Sequence, residues 1–526
     1  MLAHELIEYK RLAIQRRLDA TRTQAERNKL GQFATPSQLA MEMLEYAKSL
    51  LPEDQLMHFL DPAIGTGSFL SALLHAFPVS RIASVAGYEI DPYYGHKAIE
   101  LWDDSSFDLH IADFTRAIPP QNEYEKANLL ICNPPYVRHH HLTGNEKLRL
   151  QELVKKTTGL RLSELAGLYG YFLCLSHTWM QEDGLAGWLI PGEFMDVNYG
   201  RQIKHYLLNQ VTLLRVHRFD PGEVQFQDAL VSSAIVWFKK AIPSQNHVVE
   251  FTYGGTLSKP KVCGYIPIDV LNHTARWTKF PLHSIPAVLH SERKQVRLSD
   301  LFDVKRGLVT GANDFFILTP EQIARYQLPQ KFLTPILPSP RFLSLDEIET
   351  DAGGNPLLEQ RLFLLDCRLR EDELTKYPAL ANYLQMGKER GVHNGYICKH
   401  RSPWYAQEER LPSRLLCTYM GRTGKARSNP FRFILNHSKA TVANVYLMLS
   451  PKSELERLLK DDLELYHHIW QALNSITPEV LTGEGRVYGG GLYKLEPGEL
   501  ANVPADAVLS VLPSTFRSYT EQMKLF

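Results

Sequence analysis

Asn133-Pro134-Pro135-Tyr136 closes the apolar run Ala127 to Cys132, and the fold is decided by how this junction is read. A short apolar run that stops at a polar, proline-locked tetrapeptide reads as a parallel strand ending in a reactive loop. Open α/β sheets bind their ligands just outside the carboxyl ends of their strands, so the loop is placed for chemistry. Its residue types point to an amine. An exocyclic amine on a nucleobase has its lone pair spread into the ring and is a poor nucleophile until acceptors hold its two N–H groups. Asn133 offers a side-chain carbonyl. Pro134 offers a backbone carbonyl, in a segment where two prolines fix φ and carry no competing N–H. Tyr136 supplies a face for stacking. Taken alone, the tetrapeptide also fits a strand-terminating turn, and its neighbours decide between the two.

Upstream, Gly31-Gln32-Phe33-Ala34-Thr35-Pro36 precedes the amphipathic run Ser37 to Leu50. Gly31 permits a turn, and Ser37 is the expected N-cap. Thr35 is expected near the helix's amino end, where a hydroxyl and free N–H groups meet a carboxylate. Met57 to Leu60 then reads as a strand, followed by Asp61-Pro62-Ala63-Ile64-Gly65-Thr66-Gly67 and a helix from Ser68. Glycines in such a turn let the backbone approach a nucleotide-type ligand closely. No GxxxxGK[ST] is present, so triphosphate binding is not indicated, and Asp61 suits a cationic amino-acid moiety better than a phosphate. Ser84 to Ile90 is a second strand, with Glu89 placed for ribose hydroxyls and Asp91 before Pro92 as a helix cap. A third segment, His110 to Phe114, sets Asp113 to accept from an adenine amine and Phe114 to cover the ring. Three strand-end acids and one Asn in this order are far more specific than any one of them.

At 526 residues two or three domains are expected. Lys+Arg and Asp+Glu both total 58, so no global charge signature for nucleic acid exists and only local basic stripes remain possible. Six scattered cysteines without a CxxC read as reduced, mostly buried thiols in a cytoplasmic protein. No signal peptide and no membrane-length apolar run is evident. Residues 1–30, with five arginines among them, read as a solvated helical extension.

Together these segments resemble the S-adenosylmethionine-dependent N6-adenine DNA methyltransferases of the γ order, found in type II restriction-modification systems. Thr35-Pro36, Asp61 to Gly67, Glu89, Asp113 and Asn133 to Tyr136 follow that group's motif order over roughly residues 30 to 240. The resemblance implies a Rossmann-like α/β sheet, mostly parallel with an antiparallel final strand, and a C-terminal α+β target-recognition domain. It implies S-adenosylmethionine held by Thr35, Pro36, Asp61, Ala63, Gly65, Gly67, Glu89, Ile90, Asp113 and Phe114. It implies catalysis by Asn133, Pro134, Pro135 and Tyr136. Phe226, five positions before Val231, matches the family's aromatic residue that packs against the extruded adenine. The expected domains are an extension over 1–30, a catalytic domain over 31–244 and a DNA target-recognition domain over 245–526. Leu168-Tyr169-Gly170-Tyr171-Phe172 opens a helix through Met180, and Val211 to Phe219 and Ala229 to Phe238 read as the antiparallel strands that finish the sheet.

An adenine paired in a duplex cannot present its N6 to a sulfonium methyl, so the expected chemistry is base flipping followed by direct transfer. No metal is needed, and Arg138-His139-His140-His141 reads as a polar loop. In the second half, Lys305, Arg306, Thr310 and Asn313 fall in a segment resembling the group's recognition domains. Between Lys388 and Arg432 ten Lys/Arg face three Asp/Glu, which marks this stretch, with Trp404, Arg422 and Lys425, as the expected DNA-binding face. Arg486 to Lys494 resembles a carboxyl-terminal motif of the group, and Ser453 to Leu473 reads as a helical spacer. The expected partners are double-stranded DNA and a separately encoded restriction endonuclease, with the enzyme a monomer. An RNA or protein-glutamine methyltransferase, or a specificity subunit of a larger defence complex, remain alternatives. The early Thr35-Pro36 motif and the large second half argue against the first, and the intact catalytic loop against the second.

Overall fold

In a computed structural model of the chain, residues 3–23, 26–27, 30–102, 107–220, 233–285, 296–423, 429–462, 464–488 and 491–516 are described. The chain divides into two units, residues 1–292 with 488–490 and residues 293–487 with 491–526.

The strands of the first unit are β1 (Met57–Asp61), β2 (Ile82–Glu89), β3 (Phe107–Ile111), β4 (Ala127–Cys132), β5 (Met180–Pro191), β6 (Thr212–Arg218), β7 (Ser233–Lys239), β8 (Val248–Gly255) and β9 (Pro260–Pro267). They form one sheet in the order β3-β2-β1-β4-β5-β7-β6-β8-β9. Strands β1 to β5 are mutually parallel, and β7 runs antiparallel between β5 and β6. The strand order reverses between β1 and β4, which opens a crevice beyond their carboxyl ends. Asp61 ends β1 and Asn133 follows β4, so both stand at that crevice.

Every residue of β4 is buried, as expected of a parallel strand covered on both faces. Leu129 and Ile131 enter one apolar core while Leu130 and Cys132 enter the other, the period of two of a strand. The helices that concern the site are α1 (Ala3–Ala20), α2 (Ser37–Leu50), α3 (Ser68–Ala76), α4 (Pro92–Leu101), α5 (Gly144–Thr158) and α6 (Leu168–Leu175). Asp91 caps α4 by accepting from the Tyr93 N–H at 3.0 Å, with Pro92 in the first turn. Ser37 is not the cap of α2. It is the first helical residue, and its hydroxyl is taken by Glu8 and Arg11 of α1.

That exchange reflects a larger difference from the sequence reading. The segment expected to be a solvated extension packs into the first unit through α1, with Arg11 only 1 % exposed. Its guanidinium pairs with both Glu8 oxygens at 2.7 Å and donates to Thr66 Oγ1 at 3.2 Å, Ser68 Oγ at 2.9 Å and Ser37 Oγ at 3.1 Å. A buried guanidinium is tolerated only when its donors are satisfied, and hydroxyls from three distant positions do that here. The boundary expected at 244/245 also moves. Strand β8 pairs in parallel with β6, and β9 antiparallel with β8, so residues 248–267 extend the first sheet and cover the edge that β6 would otherwise expose.

The second unit is α+β. Its five-stranded sheet runs Phe302–Arg306, Tyr446–Pro451, Leu415–Thr418, Phe433–Asn436, Glu347–Ile348. The stretch read as a spacer is two helices, Ser453–Asp461 and Glu464–Asn474. They bury Leu455, Leu459, Leu465, Ile469 and Leu473 with the sheet residues Leu415, Leu435 and Leu447, so they are part of this unit's core.

Replacing Arg11 by Met should destabilise the first unit by about 3 kcal/mol, because Glu8 and the hydroxyls lose a buried cationic partner. Urea unfolding monitored by far-ultraviolet circular dichroism would measure this, and a loss below experimental error would show that α1 does not depend on the cluster.

Candidate cofactor and amine site

A cavity of about 670 Å³ lies in the first unit, at the carboxyl ends of the parallel strands. Thr35, Asp61, Ala63, Gly65, Glu89, Ile90, Asp113, Phe114, Asn133 and Pro135 all line it, although they are spread over 100 positions of chain. Pro36, Gly67, Pro134 and Tyr136 are absent from its lining. The acidic residues Asp19, Asp61, Glu89, Asp91, Asp113 and Glu146 line this space, and among the described residues no Lys or Arg does. Such a field favours a cation carrying hydroxyls and disfavours phosphates.

The turn after β1 shapes one end. Gly67 holds φ at 88°, and a Cβ there would stand 2.3 Å from Trp102 Nε1, which itself donates to the Thr66 carbonyl at 2.9 Å. The Ile64 N–H donates to the Tyr88 carbonyl at 2.9 Å and ties this turn to the end of β2. Asp61 accepts from the Ala63 N–H at 3.1 Å, and burial pushes its carboxyl up to about 8. Glu89 accepts from the Asp91 N–H at 2.8 Å, and burial pushes it up to about 7. Among the described residues neither carboxyl forms an ion pair, and a cationic ligand could supply one. Asp113 caps the turn that follows it by accepting from the Thr115 N–H at 2.9 Å and hydroxyl at 2.8 Å. Phe114 sits in an aromatic cluster with Tyr88, Phe172 and Trp179 at 5.5, 5.4 and 5.1 Å between centroids.

The amine end is built around Asn133. Its Nδ2 donates to the Phe33 carbonyl at 2.9 Å and to Thr35 Oγ1 at 3.1 Å. A carbonyl can only accept, so the amide is oriented with its NH₂ toward Phe33. Asn133 Oδ1 is left buried with no hydrogen-bond partner among the described residues. Thr35, expected to meet a ligand carboxylate, accepts from Asn133 and lines the cavity. Gly31 brings the two segments together. It holds φ at 67°, its carbonyl accepts from the Tyr136 N–H at 3.1 Å, and a Cβ on it would stand 2.4 Å from that nitrogen.

Tyr136 differs from expectation. It is 7 % exposed and packs in the apolar core, its phenol donating to the Leu189 carbonyl at 3.1 Å and its ring tilted 45° against Phe33 at 5.7 Å. Burial of the ring and satisfaction of its hydroxyl make it an anchor of the loop. Phe226 lies outside the described residues.

The cavity also recruits residues that sequence reasoning passed over. Leu168 and Phe172 of α6 line it, and their i, i+4 spacing in the quoted Leu168 to Phe172 stretch was an available signal. Gln15 and Asp19 of α1 line it too, and nothing local distinguished them from a polar surface.

The expected DNA-binding residues of the second unit fare unevenly. Lys305, Asn313 and Arg422 are exposed. Arg306 donates to the Asn444 carbonyl at 2.9 Å and lies over the Tyr419 ring at 4.0 Å. Thr310 is 2 % exposed and its hydroxyl is spent on Asn313 Oδ1 at 2.5 Å, because the turn it belongs to packs under Arg401, which donates to the Thr310 carbonyl at 2.9 Å. Trp404 is half-buried against Phe315 and Phe316 at 5.9 and 6.1 Å, where its ring covers apolar surface. Lys425 lies outside the described residues.

Comparison with known proteins agrees with this geometry. Residues 88–226 match the family described as Eco57I restriction-modification methylase, and residues 275–524 match the C-terminal domain of type II methyltransferase M.Eco57I. The chain is 27 % identical over 479 residues to the type II methyltransferase M.XamI of Xanthomonas campestris pv. amaranthicola, covering 89 % of this chain and 84 % of that one. It is 23 % identical over 502 residues to the type II methyltransferase M.AccI of Acinetobacter calcoaceticus, covering 90 % and 85 %. Among solved structures, the type IIL restriction-modification enzyme MmeI in complex with DNA shares the fold at a TM-score of 0.53 and 12 % identity, covering 97 % of this chain and 81 % of MmeI. The chain is thus a relative of the type II restriction-modification methyltransferases, built on a Rossmann-like methyltransferase sheet, and S-adenosylmethionine is its expected cofactor.

Proposed function

We propose that this protein methylates N6 of an adenine flipped out of double-stranded DNA, in the manner of the γ-order enzymes, and protects host DNA from a separately encoded restriction endonuclease. The observation that carries the reading is Asn133 Oδ1, a buried acceptor without a donor among the described residues, on a residue that lines an acid-lined cavity. Leaving such an oxygen unpaired costs about 1–3 kcal/mol, which a donor brought by the substrate would return. An exocyclic amine supplies that donor.

S-adenosylmethionine, when bound, supplies an electrophilic methyl group on a sulfonium. Asp61 would take its ammonium, Glu89 its ribose hydroxyls and Asp113 its adenine amine, with Ala63, Gly65, Ile90 and Phe114, which line the same cavity, as the adjoining wall. Asn133 Oδ1 and the Pro134 carbonyl accept the two N–H groups of the target amine and aim its nitrogen lone pair. Phe33 and Thr35 keep the Asn133 amide from rotating, so the acceptor is set before substrate arrives. Flipping costs a few kcal/mol, which these hydrogen bonds and the aromatic packing that the resemblance implies for Tyr136 and Phe226 would offset. The amine gains acidity as it is alkylated and loses its proton to water, so no strong base is required. The second unit is assigned target recognition, with exposed Lys305, Asn313 and Arg422 the best placed of the expected residues to meet DNA.

Long-read sequencing of DNA from a host without adenine methylation that expresses the chain should show N6-methyladenine at one short motif. The mark should vanish with Asn133→Ala. A folded, cofactor-binding protein that leaves DNA unmarked, or marks another base, would overturn the adenine assignment. Thr35→Val, which deletes one of the two groups orienting Asn133, should lower kcat by roughly 10²-fold with little change in cofactor affinity.

The raised carboxyls give a pH signature. Asp61 and Glu89 hold protons up to about 8 and 7 in the ligand-free fold, but lose them in the ordinary carboxylate range when unfolded. Between those limits the folded state binds more protons, so stability of the ligand-free protein should fall as pH rises from about 4 toward 8. A cationic ligand reverses this by favouring the ionised forms. S-adenosylmethionine binding near pH 6.5 should therefore release protons, measurable by calorimetry in buffers of different ionisation enthalpy, and Glu89→Gln should reduce the release.

A further inference from the structure

Helix α1 contributes Gln15 and Asp19, one turn apart on the same helix face, to the lining of the cofactor cavity. Their side chains are held from several sides. Thr66, in the turn after β1, donates its hydroxyl to Gln15 Oε1 at 2.6 Å, and Gln15 Nε2 donates to Asp19 Oδ1 at 2.9 Å. The hydroxyl of Tyr94, in α4, donates to the same Asp19 Oδ1 at 2.8 Å. Beyond the helix end, Arg22 pairs with Asp91 at 2.6 Å and donates to Gln32 Oε1 at 2.8 Å, and Gln32 in turn donates to Asp91 at 2.9 Å. Together with buried Arg11, these links tie α1, from its middle to its carboxyl end, to the loops that follow β1 and β2.

The two hydrogen bonds to Asp19 both fall on Oδ1, and Oδ2 makes none among the described residues. A half-buried carboxylate in the cavity lining, with one oxygen doubly held and the other without a hydrogen bond among the described residues, is a fixed acceptor available to a ligand there. Its neighbour Tyr94 follows directly on Glu89, Asp91 and Pro92, which places Asp19 at the end of the cavity assigned above to ribose. We propose that Asp19 is a cofactor-binding residue that accepts a hydroxyl of the cofactor's ribose through Oδ2, which makes α1 a wall of the site. The proposal rests on the S-adenosylmethionine reading.

Isothermal titration of the full-length protein with S-adenosylmethionine and, separately, S-adenosylhomocysteine tests it, since the ribose is common to both. Asp19→Asn should weaken both ligands on the order of tenfold, the loss of one charge-assisted hydrogen bond. Tyr94→Phe removes a donor to Oδ1 and leaves Oδ2 in place, so it should weaken them by less than about threefold. Unchanged affinity in Asp19→Asn overturns the proposal, and so does an equal loss in both variants, which would make Asp19 a structural link only. Should Asp19→Asn fail to fold, Asp19→Glu carries the test: weaker binding at an unchanged melting temperature supports the proposal, and unchanged binding overturns it. Binding of neither ligand by the wild-type protein would instead refute the S-adenosylmethionine reading itself, whatever Asp19 does.

Discussion

The hydrogen bond from Asn133 Nδ2 to the Phe33 carbonyl is the constraint on which the site depends. A primary amide placed beside a hydroxyl alone could face either way, because a hydroxyl donates as readily as it accepts. A backbone carbonyl removes that freedom, and Thr35 adds a second acceptor on the same side. The result is an oxygen that faces no donor in a buried place, a polar cost that a folded chain rarely leaves uncompensated. The geometry requires residues 31–36 to lie directly against the loop after β4, which is why Gly31 has no room for a side chain and why Tyr136 is driven into the core as an anchor.

Around that point the charges are sorted by side. Carboxylates line the cavity, while the arginines that neutralise the region stand behind its walls. Arg11 bonds the turn after β1, Arg22 holds Asp91, and Arg149 of α5 donates to the Thr115 carbonyl and hydroxyl at 3.0 and 2.7 Å, supporting the turn that Asp113 caps. Each guanidinium stiffens a loop without presenting positive charge to the ligand. Burial of Asp61 and Glu89 does the rest, disfavouring their ionised forms until a cationic ligand arrives.

Much of this was legible in the chain. Asp61, Glu89, Asp113 and Asn133 were all marked from their place at strand ends, and all line one cavity, because an acid that follows an apolar run in a parallel sheet has nowhere to go but the ligand crevice. The helix cap Asp91 was legible for the same local reason. The burial of Tyr136 was not legible, because an aromatic residue in a polar loop carries no mark of whether its ring faces solvent or core. Residues 453–473 were misjudged as a spacer, because their apolar stripe could not name the sheet it would cover.

The sequence by itself determined the strand-and-turn grammar of the first unit: which runs pair in parallel, which glycines bend the chain, and which acids end up at the crevice. These follow from local rules of period, φ and capping that act within a few residues. Only the tertiary structure decided that Thr35 steers Asn133 across 98 positions of chain, that Arg11 reaches Thr66 across 55, and that β8 and β9 extend the sheet past residue 244. Those are choices of partner between distant side chains and edges. They are settled by which donors, acceptors and apolar faces the assembled sheet leaves unsatisfied, and no local pattern encodes that.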